Sequence, residues 1–173
     1  MAMRVLKWIG ITVLVAVLAI GAVLLAAPYS DGPVAMIPGG ALQSGELITD
    51  PVGDWSFAHQ VETIEMQLVA DGDRSRTTWI LVSGQLAYIP VTTGFPPGKS
   101  WHHLAAREGA ALVRIAGKRY PVRLTRIEDS AAVAHLDTVN ASKYPPAPGS
   151  DLGSWYFRLD WRGDEPPVSR ESY

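Results

Sequence analysis

DGDRSRTTWILVSGQLAYIPVT, residues 71–92, decides the fold. Asp71-Gly72 is a hairpin signal, because both residues tolerate the left-handed backbone of a tight turn. Thr77 to Ser83 (TTWILVS) is β-branched and aromatic, and Ser83-Gly84 marks a second turn. Leu86 to Thr92 (LAYIPVT) reads as a further strand. Upstream, Val61 to Ala70 alternates, with Ile64, Met66 and Leu68 on one face and Glu62 at the start of that face. Three strands joined by short turns predict a β-meander.

Downstream, a loop over Thr93 to Gly98 carries adjacent prolines, and Ser100 to Glu108 (SWHHLAARE) predicts a short helix closed by Gly109. A second hairpin pairs Ala110–Ala116 with Arg119–Ile127 across Gly117-Lys118, where a leading glycine suits a type II′ turn. Its second strand points Tyr120, Val122 and Leu124 one way, Arg119 and Arg123 the other. Asp129-Ser130 caps a second helix that runs to about Tyr144, where prolines follow. Ser154 to Trp161 alternates, with Trp155, Phe157, Leu159 and Trp161 opposite Tyr156, Arg158 and Asp160. The order β-β-β-α-β-β-α-β predicts a mainly β protein: a six-stranded split or closed barrel with two helices, which also limits exposed strand edges.

The rest of the chain is organised around an anchor. Trp8 to Ala27 (WIGITVLVAVLAIGAVLLAA) carries no charge, and twenty helical residues rise about 30 Å, the thickness of a hydrocarbon core. Arg4 and Lys7 precede the run, so the positive-inside rule predicts a cytoplasmic N-terminus and an extracytoplasmic C-terminal domain, single-pass in the cell membrane. A cleaved signal peptide is the rival, but its apolar core is shorter and proline follows Ala26-Ala27 here. The expected parts are 1–7 cytoplasmic, 8–27 transmembrane, 28–58 a Pro/Gly-rich linker, 59–162 the barrel and 163–173 a flexible tail. Proline and glycine over 28–58 read as linker and irregular packing, with Trp55 and Phe57 expected to pack onto the domain.

Composition excludes several classes. Of 173 residues, 47% are hydrophobic and 18% charged, which rules out disorder along the whole chain. No cysteine is present, so disulfides, thiolate metal sites and cysteine nucleophiles are absent. Setting Arg4 and Lys7 aside leaves 13 basic residues against 17 acidic ones, which argues against nucleic acid as a partner. No phosphate-binding P-loop, dinucleotide fingerprint or nucleophile elbow occurs. Adjacent His102 and His103 project about 100° apart on a helix, which does not suit one metal, so no metal site is expected. One packed and one exposed histidine is the plain reading; a haem ligand or proton donor is the other. Glu62 is either a cleft carboxylate or an ion-pair partner at a strand end. The basic residues Arg114, Lys118, Arg119, Arg123 and Arg126 read as a solvated hairpin face, or as a surface for anionic lipid or a partner's carboxylates.

The element order and its motifs resemble the FMN-binding split barrel of the pyridoxamine-5′-phosphate-oxidase-like superfamily over about residues 59–161. The matching pieces are Asp71-Gly72 with Arg74 and Arg76, Thr77-Thr78-Trp79, Gly84-Gln85-Leu86-Ala87-Tyr88, Lys99-Ser100-Trp101, and Ala141-Ser142-Lys143-Tyr144 before the last aromatic strand. The resemblance implies a cofactor, FMN or in some branches F420 or haem, held at the interface of a homodimer. It further implies a phosphate met by Arg76, by Thr92 and Thr93, and by Lys99, with strand 79–81 along the ring and Trp79 or Trp101 stacking on it or walling it off. A planar fork, a point charge and hydroxyls converging on one spot is what a phosphate requires. The expected function is a membrane-anchored flavin-type cofactor-binding protein, an oxidoreductase using a quinone or other bilayer-proximal acceptor. The alternative is a cofactor-free barrel serving as a membrane-surface accessory module. If Arg76 and Lys99 share a cleft beside Thr92, the first reading gains; if they diverge into solvent, the second does.

Overall fold

A computed structural model describes residues 2–94, 96, 98–146 and 153–163. Phe95 and Pro97 of the proline loop, the segment 147–152 and nearly all of the expected tail (164–173) lie outside the described residues. Helix α1 spans Ala2–Ala26 and is followed by a 3₁₀ turn at Ala27–Tyr29. Then come β1 (Glu46–Leu47), β2 (Thr63–Leu68), β3 (Ser75–Trp79), β4 (Leu81–Ser83), β5 (Leu86–Thr92), α2 (Trp101–Arg107), β6 (Ala110–Ile115), β7 (Lys118–Arg126), α3 (Ser130–Lys143) and β8 (Ser154–Trp161).

The sheet runs β3-β2-β6-β7-β8-β5-β4, with β1 pairing in parallel onto the start of β7. It has eight strands and is not closed. Two differences from the expected six strands have identifiable causes. The run TTWILVS is not one strand: it breaks at Ile80, where the chain leaves β2's edge and joins β5 at the far end of the sheet. The expected meander is therefore divided into two hairpins on opposite edges. The additional strand, β1, lies inside the proline-rich segment.

One turn also shifts. Ile115 pairs with Lys118, so the loop between β6 and β7 is Ala116-Gly117 rather than Gly117-Lys118. Both residues have positive φ (48° and 77°), the type I′ pattern instead of II′.

Two apolar clusters organise the domain. The larger fills the concave side of the sheet and contains Trp55, Met66, Ile89, Val113, Val122 and Phe157. The smaller lies under α3 and joins Leu81, Leu136, Tyr144 and Tyr156. This second layer explains why Tyr156, on the face of β8 that also carries Arg158 and Asp160, is fully buried. Alternation in β7 is as read, with Tyr120, Val122 and Leu124 buried.

The segment 28–58 is irregular and packed. Trp55 and Ala58 belong to the main cluster, and the Trp55 ring lies tilted at 58° to the Tyr120 ring, with centres 5.4 Å apart. Gly39 exchanges backbone hydrogen bonds with Ser75 on β3 (3.1 and 3.0 Å). At Gly40 a Cβ would fall onto the Ser30 carbonyl oxygen and 2.7 Å from that of Pro28. Only glycine permits that approach. Arg114 bonds Glu65 on β2 and reaches both Asp31 carboxylate oxygens at 3.0 Å, which ties this segment across the sheet.

α1 is long and apolar enough to cross a membrane: the most apolar 18 residues within Arg4–Tyr29 have a mean hydropathy of 2.8, and none of them is buried. A signal sequence meets the same description.

Candidate functional site

The open side of the sheet is the place to look, because unpaired strand edges and concave polar groups meet there. β2 and β3 pair with Arg76 opposite Met66. Met66 is fully buried in the core, and directly opposed residues share a face. Arg76 therefore points into the concave side, not outward as a solvated strand start. The end of β5 and the entry to α2 approach from the other direction. Between them lies a cleft of about 600 Å³, whose walls include Arg74, Arg76, Trp79, Thr92, Lys99 and Trp101.

The structure thus brings together five of the six residues singled out from the sequence. Thr93 is the exception. It is not in the cleft wall, and its hydroxyl donates to the Gly153 carbonyl at 3.1 Å.

The cations are held in place by the chain. Arg76 pairs with Asp71, five residues back across the β2–β3 turn. Its guanidinium carbon lies 5.4 Å from the centre of the Trp101 ring, within cation–π range. Its Nε is buried without a hydrogen-bond partner. Burial lowers the Arg76 pKa, and Asp71 opposes that shift without cancelling it. Lys99 bends back to donate to the Thr92 carbonyl at the end of β5. Desolvation lowers its pKa as well. Arg74, Arg76 and Lys99 face one acid, Asp71, in the cleft wall, so the site has an excess of positive charge.

The two tryptophans differ. Trp101 lies across the core from Phe157, with ring centres 6.2 Å apart, and offers a face to Arg76. Trp79 stacks flat on Tyr144 at 4.8 Å and 9°, so one of its faces is already covered.

Other candidates fall elsewhere. Glu62 is exposed, precedes β2 and is not in the cleft wall; its carbonyl accepts from Tyr144, and its carboxylate acts on Lys143 through charge. Of the histidine pair, His102 is buried (2% exposed) and His103 exposed. Burial first, then the neighbouring His103, Lys99 and Arg126, push the His102 pKa down to about 4. No histidine belongs to the cleft wall among the described residues, so the cleft-facing histidine that the haem reading needs is not found there. Much of the basic hairpin is already engaged. Arg114 is engaged by Glu65 and Asp31, Lys118 by Glu46 at 3.6 Å, and Arg126 sits 3.6 Å over the Trp155 ring.

Sequence reasoning missed two parts of the wall. Met36 and Pro38 come from the segment after α1 and form one lip of the cleft. No periodicity marks them, since a bridge of irregular chain places them there. Asp71 was read only as a turn residue, although an acid five positions before an arginine across a hairpin is within pairing reach.

No protein-family model and no curated protein matches the chain. Solved structures do. One is a pyridoxamine 5′-phosphate oxidase-like protein from Listeria innocua, 12% identical, covering 60% of this chain and 86% of its own, with a TM-score of 0.42. A second protein so described, from Corynebacterium glutamicum, is 12% identical over 62% of this chain and 84% of its own, with a TM-score of 0.44. An F420 reductase is 17% identical over 64% of this chain and 94% of its own, with a TM-score of 0.40. The solved structures that this chain is similar to are thus pyridoxamine 5′-phosphate oxidase-like and F420 reductase split-barrel proteins.

Proposed function

We propose that the cleft binds the phosphate end of a flavin-type cofactor, FMN or the deazaflavin F420, and that the protein is a membrane-anchored oxidoreductase of the split-barrel type. The observation that carries this reading is the convergence of Arg76, Lys99, Thr92 and Trp101 on one cavity. The donor set suits an anionic group. Three cations outnumber one carboxylate, and a buried guanidinium nitrogen has no partner. Arg76 supplies a planar fork, Lys99 a point charge and Thr92 a hydroxyl. Trp101 lines the same cavity within cation–π range of Arg76. The bound cofactor would supply hydride chemistry, and the chain would supply binding, orientation and exclusion of water. A homodimer and an extracytoplasmic barrel belong to the same proposal; light scattering of the detergent complex and protease access in oriented vesicles test them.

The second reading, a cofactor-free accessory module, has its own supporting observation. Asp71 already pairs with Arg76, and the Thr92 carbonyl already accepts from Lys99. Titration of full-length protein with FMN and with F420 separates the two. Micromolar or tighter binding, weakened at least tenfold by both Arg76→Ala and Lys99→Ala, supports the cofactor reading. No binding of either compound by the folded wild type overturns it.

A further inference from the structure

We propose that the cleft is loaded from the bilayer: the segment 29–38, whose Met36 and Pro38 form a lip of the cleft, lies in the membrane interface and admits an anionic amphiphile dissolved in the membrane. This rests on α1 being a membrane anchor; Arg76 and Lys99 are also the residues proposed above for the cofactor phosphate, so an anionic head group competes with that phosphate for them.

Three observations place the lip. First, the end of α1 is clamped to the domain. Ala27 is 1% exposed, and the Pro28 and Ser30 carbonyls press on Gly40. Gly39 in turn is bridged to Ser75 on β3, the strand that carries Arg76. The anchor and the cleft are thus joined through a few backbone contacts, with no free tether between them.

Second, the chain between anchor and cleft exposes large apolar side chains. Tyr29 is 91% exposed and Met36 80%. Val34 is exposed as well. Val34 and Ile37 close a small backbone hairpin (both hydrogen bonds 3.0 Å) that presents Met36 near its tip. In water such a cluster is unfavourable. Beside a membrane helix it has a natural place: tyrosine favours the headgroup level and methionine adapts to irregular apolar surroundings.

Third, Met36 belongs to both surfaces. It is the most exposed apolar residue of this hairpin, and it is part of the cleft wall with Pro38. Arg74, Arg76 and Lys99 line the same cavity, the two arginines on or beside β3, along which residues 35–39 run. An entering molecule therefore meets an apolar lip and cations in one cavity. That combination suits an amphiphile with an anionic head and a tail left in the bilayer.

The absence of cysteine makes the test clean. Val15→Cys, Met36→Cys and Leu86→Cys are labelled separately with an environment-sensitive fluorophore, and the full chain is placed in nanodiscs containing nitroxide lipids. Leu86 is the water control: it lies at the other end of β5 from Thr92, six residues or about 20 Å away. The expected result is strong quenching at Val15, at least threefold more quenching at Met36 than at Leu86, and a blue-shifted Met36 label. Equal quenching at Met36 and Leu86 overturns the proposal. An unquenched Val15 label shows that α1 is not an anchor, and the proposal falls with it. A diazirine fatty acid in the same nanodiscs probes entry. Crosslinks within 74–79 or 98–104, reduced several-fold by Met36→Asp, are expected; crosslinks confined to α1 overturn the entry route. Neither readout requires bound cofactor, so failure here is separate from failure of the cofactor reading.

Discussion

The Tyr144 hydroxyl reaches the Ile80 carbonyl at 2.7 Å, at the point where the chain leaves β3 for β4. Lys143 Nζ reaches the same carbonyl at 3.0 Å and also those of Val61 and His59. The end of α3 thus supplies the donors that the broken strand lacks. Tyr144→Phe is expected to cost about 1–2 kcal/mol, the ordinary cost of one buried hydrogen bond. The double variant Tyr144→Phe/Lys143→Met is expected to cost more than the sum of the singles, because only then does the Ile80 carbonyl lose both side-chain donors. Thermal unfolding of full-length protein in detergent, followed by tryptophan fluorescence, measures both; strict additivity would count against this role.

His102 predicts a pH dependence. Its folded pKa is depressed to about 4, below the unfolded value of about 6.5. The unfolded chain therefore binds the extra proton between those values, and stability falls as pH drops through that window. The loss is at most about 3 kcal/mol at about 1.4 kcal/mol per pH unit. His102→Leu is expected to flatten the slope of Tm between pH 6.5 and 4. An unchanged slope places the titrating group elsewhere.

Asp31 acts in a separate, more acidic window. Ser44 hydrogen bonding leads the causes that lower its pKa, with the Gln43 amide and Arg114 also contributing. A depressed carboxylate stabilises the fold above its unfolded pKa of about 3.9, and that contribution is lost as pH falls below it. Asp31→Asn is expected to lower Tm modestly at pH 7 and to change nothing at the acid extreme, since the group is largely exposed and screened. Unfolding scans of both proteins across that range check it.

Gly40 tests how firmly the anchor end is joined to the domain. Gly40→Ala places a Cβ against two carbonyl oxygens and is expected to cost about 2 kcal/mol or more through forced backbone movement. Gly53→Ala, where open space surrounds the position, is the control. Equal Tm for the two variants would show that the Ser30–Gly40 contact yields easily.

Much of this fold was legible because side-chain alternation is a local signal. β8 and β5 stand where Ser154–Trp161 and Leu86–Thr92 alternate or cluster β-branched residues, and Asp129 accepts from the Ala132 amide as the cap it was read to be. The break at Ile80 was not legible, since its cause is a lysine and a tyrosine more than sixty residues away. In the site, Arg76 and Lys99 were found through motif resemblance. Met36 and Pro38 were not, because irregular chain carries no period. Thr93 was chosen for its place at a strand end, and one residue of rotation turned it toward Gly153.

The two adjacent threonines give a sharp comparison. Thr92→Val is expected to weaken FMN or F420 binding about five- to tenfold, the value of one hydrogen bond. Thr93→Val is expected to leave it within twofold. The reverse order would place the phosphate outside the cleft.

The most direct measurement is an absorbance spectrum of the full-length protein in detergent, incubated with FMN and separately with F420, then freed of excess by gel filtration. A flavin or deazaflavin band is predicted to co-elute with the wild type and to disappear from Lys99→Ala, while Leu86→Gln retains it. Wild-type protein that elutes folded and colourless from both incubations would contradict the account.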